Sequence, residues 1–205
     1  MHGAGARGRC QNHMGFLMRL RGCVVLLLMA GLAAAGTDES PPAAAHTEEE
    51  IESAMLYNFA KFVEWPAGAL GAAGAPVVIG VLGADSFIPK LDALLHGKTI
   101  QGHPIVVHRL DGGDPVKNCA VLFIGPAGRH EMARILQSAS GPHILTIGDS
   151  AAFVRLGGVI AFLREDHRIR FEVNLDAAQR AGLEVSSKML RLATVYREGP
   201  VRAGN

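Results

Sequence analysis

Four segments of strand length, separated by segments of helical periodicity, constrain the fold of this 205-residue chain most tightly. They are Pro76–Leu82 (PVVIGVL), Ile105–Leu110, Ala120–Ile124 and Ile144–Ile147. Pro76–Leu82 is a continuous apolar run, which suits a strand covered on both faces. Between the runs, Phe87–Leu95 carries Leu91, Leu94 and Leu95 at helical spacing. Arg129–Ser138 places Met132, Ile135 and Leu136 on one side. Alternation of this kind predicts crossover units and a mostly parallel sheet flanked by helices, an α/β fold. The last third changes style. Val159–Leu163 and Ile169–Val173 flank the charged stretch Arg164–Arg168, which predicts a C-terminal β-hairpin. Asn174 is placed to cap a short helix, Leu175–Ala181, with Asp176 in its first turn and Gly182 as its stop. Ser186 or Ser187 then starts a last helix through Tyr196, with Met189, Leu192, Ala193 and Tyr196 on one face and Lys188 and Arg191 on the other.

Ahead of the sheet, Ile51–Pro66 (IESAMLYNFAKFVEWP) reads as an amphipathic helix. Ile51, Met55, Phe59 and Phe62 fall on one face, and Tyr57, Lys61 and Glu64 on the other. Pro66 is expected to end it, because proline disfavours the helical region for its predecessor. Asn58 falls inside the apolar stripe, so its amide is expected to be buried and bonded to backbone elsewhere. The aromatic residues of this helix, with Trp65 at its end, serve the core or a partner surface.

The N-terminus has the layout of an export signal. Arg19 and Arg21 precede the apolar run Val24–Leu32, and Ala33-Ala34-Ala35 offers the small residues of a cleavage site. The run is shorter than the roughly 20 residues a membrane span needs. Cys23 lies ahead of it, which argues against a lipid anchor. The expected organisation is a leader at 1–35, a disordered lead-in at 36–46, one domain at 47–198 and a disordered tail at 199–205. Cleavage near Gly36 leaves sixteen basic residues against nineteen acidic, a net charge of −3, which gives no support to nucleic-acid binding. Cys119 is then the only thiol, so no intrachain disulfide can form. Set in the apolar run CAVLFIG, it reads as a small buried hydrophobe.

Catalytic signatures are missing. There is no Gly-x-Ser-x-Gly, His-Glu-x-x-His or Cys-x-x-Cys pattern. Gly80-Val81-Leu82-Gly83 stands where a phosphate loop would, without the dinucleotide fingerprint, and reads as a tight turn leaving the sheet. Ser86 is a candidate cap for the helix that follows. Gly157-Gly158 reads as a turn or bulge before the hairpin. The histidines are scattered; His103 and His108, five apart in a strand, fall on opposite faces. Neither a metal nor a cofactor is indicated. Asp149 and Asp176 read as turn and helix-start residues. Arg155, Arg164, Arg168, Arg170, Lys188 and Arg191 crowd the last third. They form either a solvated face or a recognition surface for an acidic patch or anionic ligand. On the second reading, Phe153, Arg155, Phe162, Arg164, Arg170, Glu172, Lys188 and Arg191 are the partner- or ligand-binding candidates.

Three segments together carry a family resemblance: LYNFAKFVEWP (Leu56–Pro66), ILTIGDSAAFVRLGGVIAF (Ile144–Phe162) and RIRFEVNLDAAQRAGLEVSSKMLRLA (Arg168–Ala193). In order and spacing they resemble the YfiR family of periplasmic proteins, from about Glu49 to Tyr196. Tyr57, Asn58, Phe59, Lys61, Phe62, Trp65 and Asn174 are the motif residues, assigned structural roles. The resemblance implies a Rossmann-like layered fold and a homodimer. It implies a periplasmic regulator that binds the outward-facing sensor domain of a membrane-bound diguanylate cyclase, lowering cyclic di-GMP and biofilm formation. A membrane sensor kinase is the other partner it allows, and small apolar or aromatic ligands are implied for some members. The family's internal disulfide control does not carry over, because Cys119 is left alone. An alternative reading is a periplasmic small-molecule binding protein, since the strand ends of an open parallel sheet form a crevice.

Overall fold

The fold comes from a computed structural model that describes residues 47–166 and 168–199. The leader, the lead-in, His46, His167 and the chain beyond Gly199 lie outside the described residues. Among those described, no helix is long and apolar enough to cross a membrane.

Thr47 opens the first helix, α1 (Glu48–Phe62), with a capping box. Its hydroxyl accepts the Glu50 N–H, and the Glu50 carboxylate accepts the Thr47 N–H at 2.9 Å. Such a cap stabilises a helix by about 1 kcal/mol. Three glutamates in the first turn and Lys61 in the last complement the helix dipole. The helix ends at Phe62, ahead of Pro66. Val63–Glu64 (β1) turns extended there to pair antiparallel with Glu184–Val185.

The buried face of α1 also differs from the predicted one. Glu52, Ser53, Leu56, Phe59 and Ala60 point inward. Ile51 and Phe62 are 39% and 37% exposed, and Asn58 is exposed, so the expected buried amide is corrected. The helix is turned by about one residue step, roughly 100°. The small Ser53 and Ala60 let it approach closely, Ser53 donates to Glu49 O at 2.7 Å, and the buried Glu52 has an arginine partner.

The remaining elements follow in chain order. β2 (Val77–Leu82) leads through a 3-10 turn at Asp85–Phe87 to α2 (Ile88–Leu95). β3 (Thr99–Ile100) and β4 (His103–Leu110) form a tight antiparallel pair. β5 (Val121–Ile124), α3 (Arg129–Ser138) and β6 (Leu145–Gly148) come next. Then come α4 (Ala151–Arg155), β7 (Ile160–Glu165) and β8 (Arg168–Asn174). The chain continues through α5 (Leu175–Arg180), β9 (Glu184–Val185), α6 (Ser187–Leu190) and β10 (Thr194–Tyr196).

The main sheet has eight strands in the order β3-β4-β2-β5-β6-β7-β8-β10. From β4 to β7 neighbours are parallel; β8 returns antiparallel to β7, the predicted hairpin, and β10 lies parallel to β8. The mostly parallel α/β architecture is therefore as the apolar runs require.

Helices cover both faces. α1, α2 and α6 bury Leu56, Phe59, Leu91 and Met189 with the sheet residues Phe123, Phe162 and Phe171. Phe59 lies 4.8 Å from Phe171 and 5.6 Å from Phe162, centroid to centroid. On the other face α3 and α4 bury Met132, Ile135 and Phe153 against Cys119, Leu122 and Ala161. Rings at these separations add to their area burial, so α1 is fastened to the hairpin by aromatic contact.

Three further expectations change. Gly80 lies inside β2, where a Cβ would meet Leu110 Cδ1 at 2.6 Å and Cys119 Sγ at 2.7 Å; it permits packing of the strand and makes no turn. Ser86 does not cap α2: that helix has no side-chain cap, and the Ser86 hydroxyl donates to Glu49 instead. The last helix stops at Leu190. Thr194–Tyr196 is extended because the edge of β8 supplies hydrogen-bond partners, and Leu192 is left 79% exposed.

Candidate functional site

In an open parallel sheet the crevice lies where successive connections leave to opposite sides. Here β2 connects onward to β4 and β5 connects onward to β6, so that point falls at the carboxyl ends of β2 and β5. Gly125, just past β5, approaches the loop after β2 so closely that a Cβ would lie 2.4 Å from Gly83 O. A cleft of about 370 Å³ opens there. Residues 83–87, Phe123, Pro126, Asp149, Glu49, Glu52 and Arg164 line it.

Arg164, on the outer half of β7, organises its charge. The guanidinium donates to Glu52 Oε1 at 2.5 Å and to Asp149, and its Nε faces Glu48 at 3.4 Å. The Glu52 and Asp149 side chains are only 5% and 10% exposed. Burial pushes the Glu52 carboxyl up to about 7. Arg164 opposes that rise, while Asp149, Glu48 and Glu49 add to it. Burial also works against the charge of Arg164, but Asp149, Glu52 and Glu48 outweigh it and hold its pKa above the ordinary value. Beside them Lys90 pairs with Glu49, and Ser86 donates to Glu49 at 3.1 Å; these bonds hold that carboxyl below its usual range. The network joins α1 to α2 and to β7. It suits positioning and charge recognition. The cleft lining contains no histidine or cysteine. Among the described residues no group of three His, Cys, Asp or Glu side chains is arranged to hold a metal ion.

The candidate residues of the last third divide among several places. Phe153 and Phe162 are fully buried core side chains, so neither can offer an exposed contact and both assignments are corrected. The Phe153 ring is clamped between Gly148 and Gly158, where a Cβ would come within 2.3 and 2.1 Å of it. Glu172 is buried as well, 4.0 Å from the Arg155 guanidinium, which also lies 5.8 Å from the Tyr196 ring. Arg155 and Arg170 belong to the sheet face opposite α1; Arg170 is exposed and 3.4 Å from Glu165. Lys188, on α6, and Arg191, its C-cap, are exposed on the α1 side and pair with no carboxylate among the described residues. Arg164 belongs to the strand-end cleft. The structure therefore does not gather these cations into one patch.

The motif residues divide between core and surface. Phe59 and Trp65 are buried, and the Trp65 indole N–H donates to His143 O at 3.1 Å. The Tyr57 hydroxyl donates to Thr99 O at 3.3 Å, with Lys98 and Lys61 over its ring at 5.5 and 5.9 Å. Asn174, fully buried, accepts the Ala177 N–H and donates to Val154 O, both at 2.9 Å, and also donates to Glu198. Ile51, Asn58, Lys61 and Phe62 face outward on α1. The stripe expected to be core is thus divided, with Phe59 and Met55 against the core and Ile51, Asn58 and Phe62 on the exposed side.

No sequence motif marks Glu52, Glu48 or Asp149 as site residues. Glu52 and Arg164 are 112 positions apart and no local pattern links them. Glu52 follows a first turn that already holds three glutamates, so nothing local sets it apart as buried.

The profile of the family described as YfiR/HmsC-like matches residues 49–194. A crystal structure of a conserved domain protein from Vibrio cholerae O1 biovar El Tor str. N16961 is similar in fold, with a TM-score of 0.50 and 12% identity, over 74% of this chain and 60% of that one. A second, the ABC domain in complex with L-Trp from Streptococcus pneumonia, gives a TM-score of 0.43 and 13% identity over 58% of this chain and 55% of that one. This chain thus spans less than two thirds of either. The first likeness concerns the fold alone.

Proposed function

The chain belongs to the YfiR/HmsC-like family, and from that premise we propose that it is an exported regulator that docks on the periplasmic sensor domain of an inner-membrane signalling protein. The first partner is a diguanylate cyclase, held in its inactive state so that cyclic di-GMP falls. The observation that carries this reading is the extent of the family match, 49–194, which takes in all of α1 but its first residue and every later strand and helix as far as the start of β10. Repression requires only that the regulator bind the inactive partner more tightly than the active one. The exposed side of α1, with Ile51 and Phe62 more than a third accessible and Asn58 and Lys61 between them, is the proposed docking face. Apolar side chains rimmed by polar ones are the usual make-up of such a face.

The test is capture. The mature protein, cross-linked in intact cells, should recover a membrane protein with a periplasmic domain and a cytoplasmic cyclase or kinase domain, and Phe62→Glu should abolish that recovery with folding unchanged. Recovery of no membrane protein by a folded, exported chain contradicts the proposal. A second reading, a small-molecule binding protein, draws on the strand-end cleft and its fixed Arg164. A thermal-shift screen decides it, since a tight ligand must raise Tm by mass action.

A further inference from the structure

Where α1 meets the strand ends, one guanidinium serves three carboxylates. Arg164 reaches Glu52 and Glu48 from α1 and Asp149 from the segment after β6. The neighbouring charges are already committed: Lys90 to Glu49, and Arg109 to Asp85 at 3.0 Å. Among the described residues no second cation comes within ion-pairing distance of Glu52, Asp149 or Glu48. With every acid ionised the cluster carries two excess negative charges, and its two innermost carboxylates are almost wholly withdrawn from water. Such an excess is costly, and the simplest relief is a proton on the most buried acid. Glu52 is that acid, and one of its oxygens already accepts from Arg164, a bond that survives protonation.

We propose that this cluster is a proton-linked latch, in which Glu52 takes up a proton as the surroundings become mildly acidic and the N-terminal half of α1 is then held more firmly on the strand ends. The groups facing Glu52 are Glu48 and Glu49 from its own helix, Asp149 from the segment after β6 and Arg164 from β7. Burial and the like charges raise Glu52 to about 7, against 4.5 for an exposed glutamate. Between those values the closed state holds a proton that the open state lacks. The latch is therefore fully set below about 4.5, loosens as pH rises through 7, and is unchanged above it. Opening of α1 should be about tenfold more frequent at pH 8 than at pH 6. The latch is a property of the fold and stands whether or not the protein represses a cyclase.

The test uses carbon-13 NMR of the mature protein's glutamate side chains, with Glu52→Gln assigning the resonance, and amide hydrogen exchange in α1. The expected Glu52 midpoint lies near neutral, and α1 exchange, corrected for its intrinsic rate, rises about tenfold from pH 6 to 8 in the wild type and stays flat in Glu52→Gln. Asp149→Asn should move the midpoint down, because it removes a like charge and frees Arg164 for Glu52; this decides the matter even if Glu52→Gln fails to fold. A Glu52 midpoint below 5, or equal pH profiles for wild type and Glu52→Gln, overturns the latch.

Discussion

The sequence offers Phe153 as a partner contact and Phe62 as a structural residue of the first helix, and the structure exchanges these places, so their substitution should separate core from surface. Phe153 has no exposed surface, and its ring is gripped by the backbones of Gly148 and Gly158. Gly148 ends β6 and Gly158 lies in the turn that leads into β7, and the pairing of those two strands fixes the spacing of both backbones. The hole left by Phe153→Ala therefore cannot close by collapse, which places the cost in the upper half of the usual range, about 4 kcal/mol. For a domain of this size that lowers Tm by roughly 8–16 °C. Phe62 is 37% exposed at the last turn of α1, so Phe62→Ala forfeits only part of a side chain's burial, about 1 kcal/mol or less. Urea unfolding of the protein, followed by far-UV circular dichroism, measures both. If Phe153→Ala costs no more than Phe62→Ala, the ring does not fill the space between the two glycines and the packing described here is wrong.

Three other outcomes follow from single contacts. Gly158→Ala puts a methyl 2.1 Å from the Phe153 ring and should cost about 3 kcal/mol, whereas Gly113→Ala meets nothing within 4 Å and should be near neutral in the same unfolding assay. Asn174→Ala removes the α5 cap and the bonds to Val154 and Glu198, for about 2 kcal/mol, and Asn174→Asp should recover only the cap's share. Burial raises the Cys119 thiol above its ordinary pKa, so at neutral pH a thiol reagent should label native protein slowly and urea-unfolded protein at once.

Some of this architecture is legible in sequence because the cues are local. Arg129–Ser138 coincides with α3, since Met132, Ile135 and Leu136 fall on one helical face and Gly128 sets its start. Asn174 caps α5 as its chemistry demands, and the alternation of Ile169, Phe171 and Val173 with charged residues marks the hairpin strand. Elsewhere tertiary structure overrides the pattern. In α1 a buried glutamate looks like a surface residue until its arginine is seen, so the whole face is assigned a step too far round. α4 has five residues, too few to show a period. Met189, Leu192 and Tyr196 have helical spacing, yet the unpaired edge of β8 draws Thr194–Tyr196 into a strand. The site fares worse than the fold for the same reason. Arg164 is one of several cations in the last third, and its partners come from α1 and from the loop after β6, so only folding brings them together.

The central claim, that this family member acts by restraining a membrane signalling protein, meets its most direct test in the cell. Cyclic di-GMP is measured in three strains: one lacking the gene, one restored with the wild type, and one restored with Phe62→Glu. The account predicts that the nucleotide rises on deletion, returns to its starting level with the wild type, and stays high with the folded, exported variant. Unchanged cyclic di-GMP on deletion contradicts the cyclase assignment, and full restoration by Phe62→Glu contradicts the docking face.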